Sequence, residues 1–255
     1  MMTPRTTMIG TMMTGAQLHW RWQTLPVGTL SDVIGPGPCL VLAPHPDDES
    51  LGCGGLIARC CIESRPPLVV ILTDGSGSHP GSQEYPPARL AALREEEAAR
   101  AVQALGLPPE RLLFLRQVDT MAPHEGPAFD AIVTRLVACM REFECSTILG
   151  PSRLDPHCDH IATARIAAQT AQRAGARHLS YPVWGWTIAD ETLVDATVVL
   201  GWRLDVTAQL PAKRDAIAAH ASQYGKRITD DPDGFRLPVK LLQAVAGPWE
   251  TFVLP

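Results

Sequence analysis

The chain has 255 residues, with 22 Lys and Arg against 27 Asp and Glu, a formal net charge of -5, and 45% hydrophobic against 19% charged residues. That balance argues against a basic nucleic-acid binder and against a disordered chain. Seven cysteines, an odd number at irregular spacing, do not make a disulfide framework, so a reducing compartment is expected.

Residues 1–37 are rich in Thr, Gly and Pro and include Trp20 and Trp22; they read as a partly ordered lead-in to a domain covering 38–255. Met1–Gly15 holds no continuous apolar run of signal-peptide length, and the longest apolar runs, such as Leu68–Leu72, are strand-sized. A cytoplasmic protein with no membrane span is expected. From Cys39 onward, short apolar runs alternate with longer Ala-rich segments of helical spacing. Strands are predicted at Cys39–Ala43, Leu68–Thr73, Leu112–Leu115 and Thr147–Leu149, and helices at Glu49–Cys61, Ala88–Leu105, Ala128–Arg141 and Ile161–Arg173. Strands that are apolar throughout are covered on both faces, so the alternation predicts an α/β fold around a mostly parallel sheet. Further strands at Ala196–Leu200 and Arg203–Val206, a helix over Ala208–Gln223 and a turn at Asp231-Pro232-Asp233-Gly234 form a C-terminal elaboration.

The densest chemistry lies at His45-Pro46-Asp47-Asp48-Glu49, between the first predicted strand and the helix after it. In open α/β sheets this carboxyl edge is where ligands bind. One Asp accounts for a helix cap, but three adjacent acids beside a His call for a nearby positive charge. A metal ion supplies it, with His45 and Asp48 aimed at one centre across the Pro-containing turn and Asp47 pointing elsewhere. A third ligand is expected from Asp155-Pro156-His157-Cys158-Asp159-His160, which follows Thr147–Leu149 at the equivalent edge. His160 ranks ahead of Cys158 there, because no second Cys has the spacing of a structural site. Imidazole and carboxylate ligands with open positions describe a catalytic zinc site.

These residues resemble the PIG-L (LmbE-like) family of zinc-dependent N-deacetylases. His45-Pro46-Asp47-Asp48-Glu49, Leu51-Gly52-Cys53-Gly54-Gly55 and His157-Cys158-Asp159-His160 carry the resemblance. Thr73-Asp74-Gly75, Arg94 with Glu97, Leu105-Gly106, Phe114-Leu115, Asp119, Lys213, His220, Ser222 and Gln223 extend it from about Cys39 to Gln223. The resemblance implies a Rossmann-like three-layer fold, one zinc ion held by His45, Asp48 and His160, Asp47 as general base, and His157 near the reacting carbonyl. Arg94 is expected to anchor substrate, the alternative being a helix-surface ion pair, and Asp159 to orient one of the flanking His rings. The implied reaction removes an N-acetyl group from an N-acetylglucosamine-containing small molecule or glycoconjugate; homo-oligomerisation is left open. Ser76-Gly77-Ser78-His79-Pro80-Gly81 departs from the family, many members of which carry an acid or a further Gly there.

Two other functions compete. His45-Pro46-Asp47 with a distant His also matches the two-His, one-carboxylate triad of non-haem iron oxygenases, which use a jelly roll. The alternative from another class is a non-catalytic nucleotide-binding module, but Gly52-Cys53-Gly54-Gly55 lacks the dinucleotide spacing and Gly75-Ser76-Gly77-Ser78 lacks a phosphate-loop Lys. The first group reads as close helix-to-sheet packing and the second as a mobile loop. Trp184 and Trp186 are expected to fill core, with stacking on a sugar ring as the alternative.

Overall fold

The computed structural model describes residues 12–195, 199–225 and 227–254. The elements run β1 (Met12–Thr14), α1 (Gly15–Gln23), β2 (Val27–Gly28), α2 (Leu30–Ile34), β3 (Cys39–Ala43), α3 (Asp48–Ile62), β4 (Leu68–Thr73), α4 (Pro87–Ala104) and β5 (Leu112–Gln117). They continue with α5 (Gly126–Glu142), β6 (Thr147–Pro151), α6 (Cys158–Ala174), β7 (Arg177–Tyr181), β8 (Leu193–Asp195), β9 (Gly201–Asp205), α7 (Leu210–Ala219), α8 (Val239–Val245) and β10 (Trp249–Val253).

Eight strands form one sheet in the order β2-β9-β10-β7-β6-β3-β4-β5. Its centre, β7-β6-β3-β4-β5, is parallel, and β10 enters antiparallel between β7 and β9. Every residue of β3, β4 and β6 is buried, as a strand covered on both faces requires. Strand alternation divides the core: Val41, Ala43, Val69 and Ile71 face α3, α4, α7 and α8, while Leu40, Leu42, Val70 and Leu72 face α5 and α6. This is the three-layer α/β arrangement expected, and it is not the jelly roll that an oxygenase triad needs.

From Met12 onward the N-terminal segment differs from the lead-in expectation, while residues 1–11 lie outside the described residues. Thr14 and Thr29 each close a capping box on α1 and α2, β2 adds to the main sheet beside β9, and Leu18 and Trp22 are buried. Thr14 and Thr29 are there as caps, and Gly35 turns with φ 72°. Near the other end, the predicted strand Ala196–Leu200 lies partly outside the described residues; the ordered strand is Leu193–Asp195, paired with β1. The predicted helix Ala208–Gln223 stops at Ala219 and resumes as a short 3₁₀ turn over Ala221–Tyr224. All seven cysteines are free thiols.

The glycines of α3 bring that helix against its neighbours. A Cβ on Gly52 would stand 2.3 Å from Cδ2 of Tyr181, and one on Gly55 would stand 2.5 Å from Cβ of Val206. The Tyr181 ring cannot retreat, since it is fully buried and its hydroxyl donates to the Leu42 carbonyl at 2.8 Å. Gly52→Ala is therefore expected to destabilise the protein by about 1–3 kcal/mol through overpacking. Thermal unfolding followed by circular dichroism checks this, and an unchanged midpoint would mean that α3 can shift without cost.

Candidate active site

The parallel pairing of β3 with β6 sets their carboxyl ends side by side, so the β3–α3 and β6–α6 turns meet at one edge of the sheet. The first turn carries His45 to Glu49 and the second carries Asp155 to His160. They line a cavity of about 330 Å³ to which His45, Asp47, Asp48, Arg94, Asp119 and His157 contribute the polar wall. Leu51, Pro156, Trp184, Phe235 and Leu237 supply an apolar wall. Trp184 meets Phe235 edge-on at 5.8 Å, whereas Trp186 packs edge-on against Trp22 at 4.9 Å. Thus Trp186 fills core as expected, and Trp184 faces the site.

Three donors converge. Asp48 Oδ2 lies 3.1 Å from His45 Nδ1 and 3.2 Å from His160 Nε2. His160 Nε2 is buried and has no hydrogen-bond partner, although its ring is fully enclosed. Zinc–ligand arms of about 2.0–2.1 Å put tetrahedral ligand atoms roughly 3.3 Å apart, which matches these spacings. The donor set fits a divalent ion. His157 also reaches the group, with ligand atoms of His45, His157 and His160 all within 4.8 Å of one another. Cys158 stays outside it: the residue is exposed and its thiol donates to the Thr120 carbonyl at 3.8 Å.

Electrostatics makes the same demand. Burial works to depress both buried imidazoles, yet Asp119, Asp159 and Asp48 hold His45 well above its ordinary pKa, and Asp48 and Asp155 push His160 up to about 9. Burial would raise Asp48, but His160 and His45 hold its carboxyl well below the usual carboxylate range. A cluster that pulls protons onto two buried imidazoles accepts a metal cation in their place.

Each converging imidazole is held from behind by a carboxylate. Asp155 Oδ2 sits 2.9 Å from His160 Nδ1, and the same carboxylate accepts the backbone N–H groups of Val183, Trp184 and Gly185 at 2.8–3.1 Å. Asp159 Oδ2 and Asp119 Oδ1 both approach His45 Nε2, at 3.1 and 3.3 Å. Asp159 was expected to orient a flanking His; its side chain instead crosses to His45, and only its backbone N–H reaches His157 Nδ1, at 3.2 Å. The reason is the α6 start: Asp159 lies one residue inside the helix and points toward the 119–122 loop, whose Thr120 and Ala122 N–H groups it accepts. Asp155 and Asp119 do work that local sequence pattern did not assign to them.

Asp47 occupies the N-cap position of α3 without capping it. Its backbone has φ 150° and ψ −28°, a region that non-glycine residues rarely enter. Burial raises its carboxyl to about 6, against the pull of the Arg94 guanidinium. Arg94 is only 3% exposed, so it is not a helix-surface ion pair. It donates from NH1 to the Gly75 carbonyl at 2.9 Å and from NH2 to the Pro46 carbonyl at 2.8 Å and Asp47 Oδ2 at 3.2 Å. His157 differs from the other rings, since burial together with His45 and His160 lowers its pKa.

The loop after β4 is tied down and not free. Gly77 N–H donates to Asp119, Gly81 N–H to Asp231, and the Gln83 and Glu84 N–H groups to Asp230, all at 2.8–2.9 Å. The Gly52–Gly55 segment meets Tyr181, Lys213 and Val206 and leaves no room for a phosphate.

Comparison with known proteins agrees with this geometry. The family model described as GlcNAc-PI de-N-acetylase, PIG-L, matches residues 40–171. A curated 1D-myo-inositol 2-acetamido-2-deoxy-alpha-D-glucopyranoside deacetylase from Nocardia farcinica is 29% identical, covering 86% of this chain and 90% of its own. A 2'-N-acetylparomamine deacetylase from Streptomyces fradiae is 27% identical over 56% of this chain and 55% of its own. The fold is shared with the solved N,N'-diacetylchitobiose deacetylase from Pyrococcus horikoshii, at TM-score 0.59, 19% identity, and 86% and 84% coverage of the two chains. The matched stretch holds both acidic His turns, β3 through β6 and nearly all of α6, which is the part of the sheet that builds the cavity edge. This chain belongs to the PIG-L family.

Proposed function

We propose that the protein is a zinc-dependent N-deacetylase, a hydrolase that cleaves the acetamide C–N bond of an N-acetylglucosamine-containing small molecule or glycoconjugate. The observation that carries this reading is the convergence of His45 Nδ1, Asp48 Oδ2 and His160 Nε2 beside Asp47 in one cavity. The family and the relatives' sugar substrates support it. Among the described residues no helix is long and apolar enough to cross a membrane.

His45, Asp48 and His160 would hold the ion, with Asp119 and Asp159 orienting the first ring and Asp155 the third. A bound zinc ion supplies Lewis acidity, lowering the pKa of water from 15.7 toward about 7 and polarising the acetyl carbonyl. The chain's own residues then move the protons. Asp47, whose carboxyl lies at about 6, is largely ionised at neutral pH and accepts the proton of the attacking water. It passes that proton to the departing nitrogen, so that water ends as acetate and free amine. His157 Nδ1 accepts the Asp159 N–H, which leaves the proton of the neutral ring on Nε2. That N–H is the donor for the negative charge developing on the carbonyl oxygen. Arg94 borders the cavity and holds Asp47 Oδ2 in place.

Metal analysis of the purified protein, coupled to an amine-release screen over N-acetylglucosaminyl compounds, tests the reading. One zinc per chain and free amine from at least one compound are expected. A zinc-loaded preparation that deacetylates none of them overturns it, and iron-dependent oxygen uptake with 2-oxoglutarate would restore the oxygenase alternative.

A further inference from the structure

We propose that His220 is a positioning residue for the reaction: through Glu49 it holds the backbone of Asp47 in its left-handed conformation and so keeps the Asp47 carboxyl aimed into the cavity. This rests on the deacetylase reading, in which Asp47 is the base.

Asp47 turns through φ 150°, a conformation that an Asp adopts only when its surroundings enforce it. Its own side chain does not do so, since it reaches away to Arg94 and makes no cap bond. The restraint on its backbone N–H is Glu49, whose Oε2 accepts it at 3.0 Å. Glu49 Oε1 in turn accepts the Ser50 hydroxyl at 2.7 Å and meets His220 Nε2 at 3.1 Å. Both Glu49 and His220 are almost wholly enclosed, at 0% and 1% exposure. His220 follows the last residue of α7 and does not line the cavity. Its Nδ1 has no partner. An apolar side chain would fill this buried position at lower cost than an imidazole, so the ring is there for its contact with Glu49.

The same short segment also meets α4. Ser222 donates from its backbone N–H and its hydroxyl to Glu97, at 3.0 and 2.6 Å. Glu97 lies on α4 three residues after Arg94, the residue that holds Asp47 Oδ2. The break between α7 and the 3₁₀ turn lets residues 220 and 222 face α3 and α4 together, which a continuous helix through Gln223 would not allow.

The test measures kcat, KM and zinc content with a substrate from the amine-release screen, for the wild type, His220→Leu and His220→Gln, each also combined with Asp47→Asn. His220→Leu is expected to lower kcat about 10–100-fold with KM held within about twofold and zinc retained. His220→Gln, whose amide N–H reaches Glu49, is expected to recover most of that loss. In the Asp47→Asn background His220→Leu is expected to cost nothing further, because the two residues act through one carboxylate. The proposal is overturned if His220→Leu leaves kcat unchanged, loses zinc in step with kcat, or lowers kcat by the same factor in both backgrounds. It is also overturned if His220→Gln is no better than His220→Leu. Should His220→Leu fail to fold, His220→Asn, too short to reach Glu49, carries the same comparison against His220→Gln. A wild type that releases no amine overturns the deacetylase reading itself, whereas an active wild type with an indifferent His220 overturns only this role.

Discussion

Asp47→Asn is expected to lower kcat by about 10²–10⁴-fold while the zinc content stays unchanged. The substitution preserves shape and leaves Arg94 an oxygen to donate to, so the local packing survives. What it removes is the capacity to take a proton. Burial places the Asp47 carboxyl at about 6, close enough to neutral pH to accept a proton from water and to give it up to an amine in the same cycle. The three converging donors are His45, Asp48 and His160, so the amide at 47 does not disturb the ion. Steady-state kinetics beside elemental analysis checks both halves of this expectation. Full turnover in the variant would remove Asp47 from the base role, and lost zinc would move it into the ligand set.

His160→Ala is expected to abolish zinc binding and, with it, the metal-dependent part of the protein's stability. His160 Nε2 is a buried nitrogen with no hydrogen-bond partner that faces Asp48 Oδ2 at 3.2 Å, and its other nitrogen is committed to Asp155 at 2.9 Å. Losing a group that merely supports a ligand costs about 10–100-fold in metal affinity, and losing a ligand costs more. For the wild type, zinc at a hundred times its dissociation constant adds about 2.7 kcal/mol to stability. The variant should show no such gain. Thermal unfolding with and without zinc, with zinc stoichiometry after dialysis, measures this directly; an equal zinc-dependent rise in both proteins would exclude His160 as a ligand.

Both variants lie in motifs legible in the bare sequence, and the reason is local. His45 to Glu49 and Asp155 to His160 are short clusters, the first separated by one residue and the second by five from an apolar run read as a buried strand. A parallel sheet puts such turns at the same edge whatever else the chain does, and the pairing of Val41 with Leu149 shows that it does so here. The β3, β4 and β6 runs were readable for the same reason: strands covered on both faces have no polar alternation to obscure them.

What the supports hold was not legible, because they come from elsewhere in the chain. Asp119 follows β5 and reaches His45; residues 183–185 follow β7 and are tied to Asp155; His220 and Ser222 lie beyond α7 and meet Glu49 and Glu97. No spacing rule links residues 171 positions apart, such as Glu49 and His220. The direction of a side chain at a helix start was equally hidden. Asp159 could be seen to neighbour two histidines, but only the path of the 119–122 loop turned its carboxylate toward His45. Arg94 looked as much like a surface residue of a charged helix as a site residue, and it is buried because α4 packs over the β3–α3 turn with the Gly75 and Pro46 carbonyls waiting for it.

By itself the sequence determined the fold class, the edge of the sheet where chemistry occurs, and the residue types that meet there, since these follow from apolar periodicity and from clusters a few residues long. The tertiary structure alone decided which carboxylate stands behind which imidazole, which Trp faces the cavity, and how Asp47 is held in a backbone conformation it would not choose. Those outcomes depend on burial and on hydrogen bonds between distant segments, and neither exists until the chain has packed.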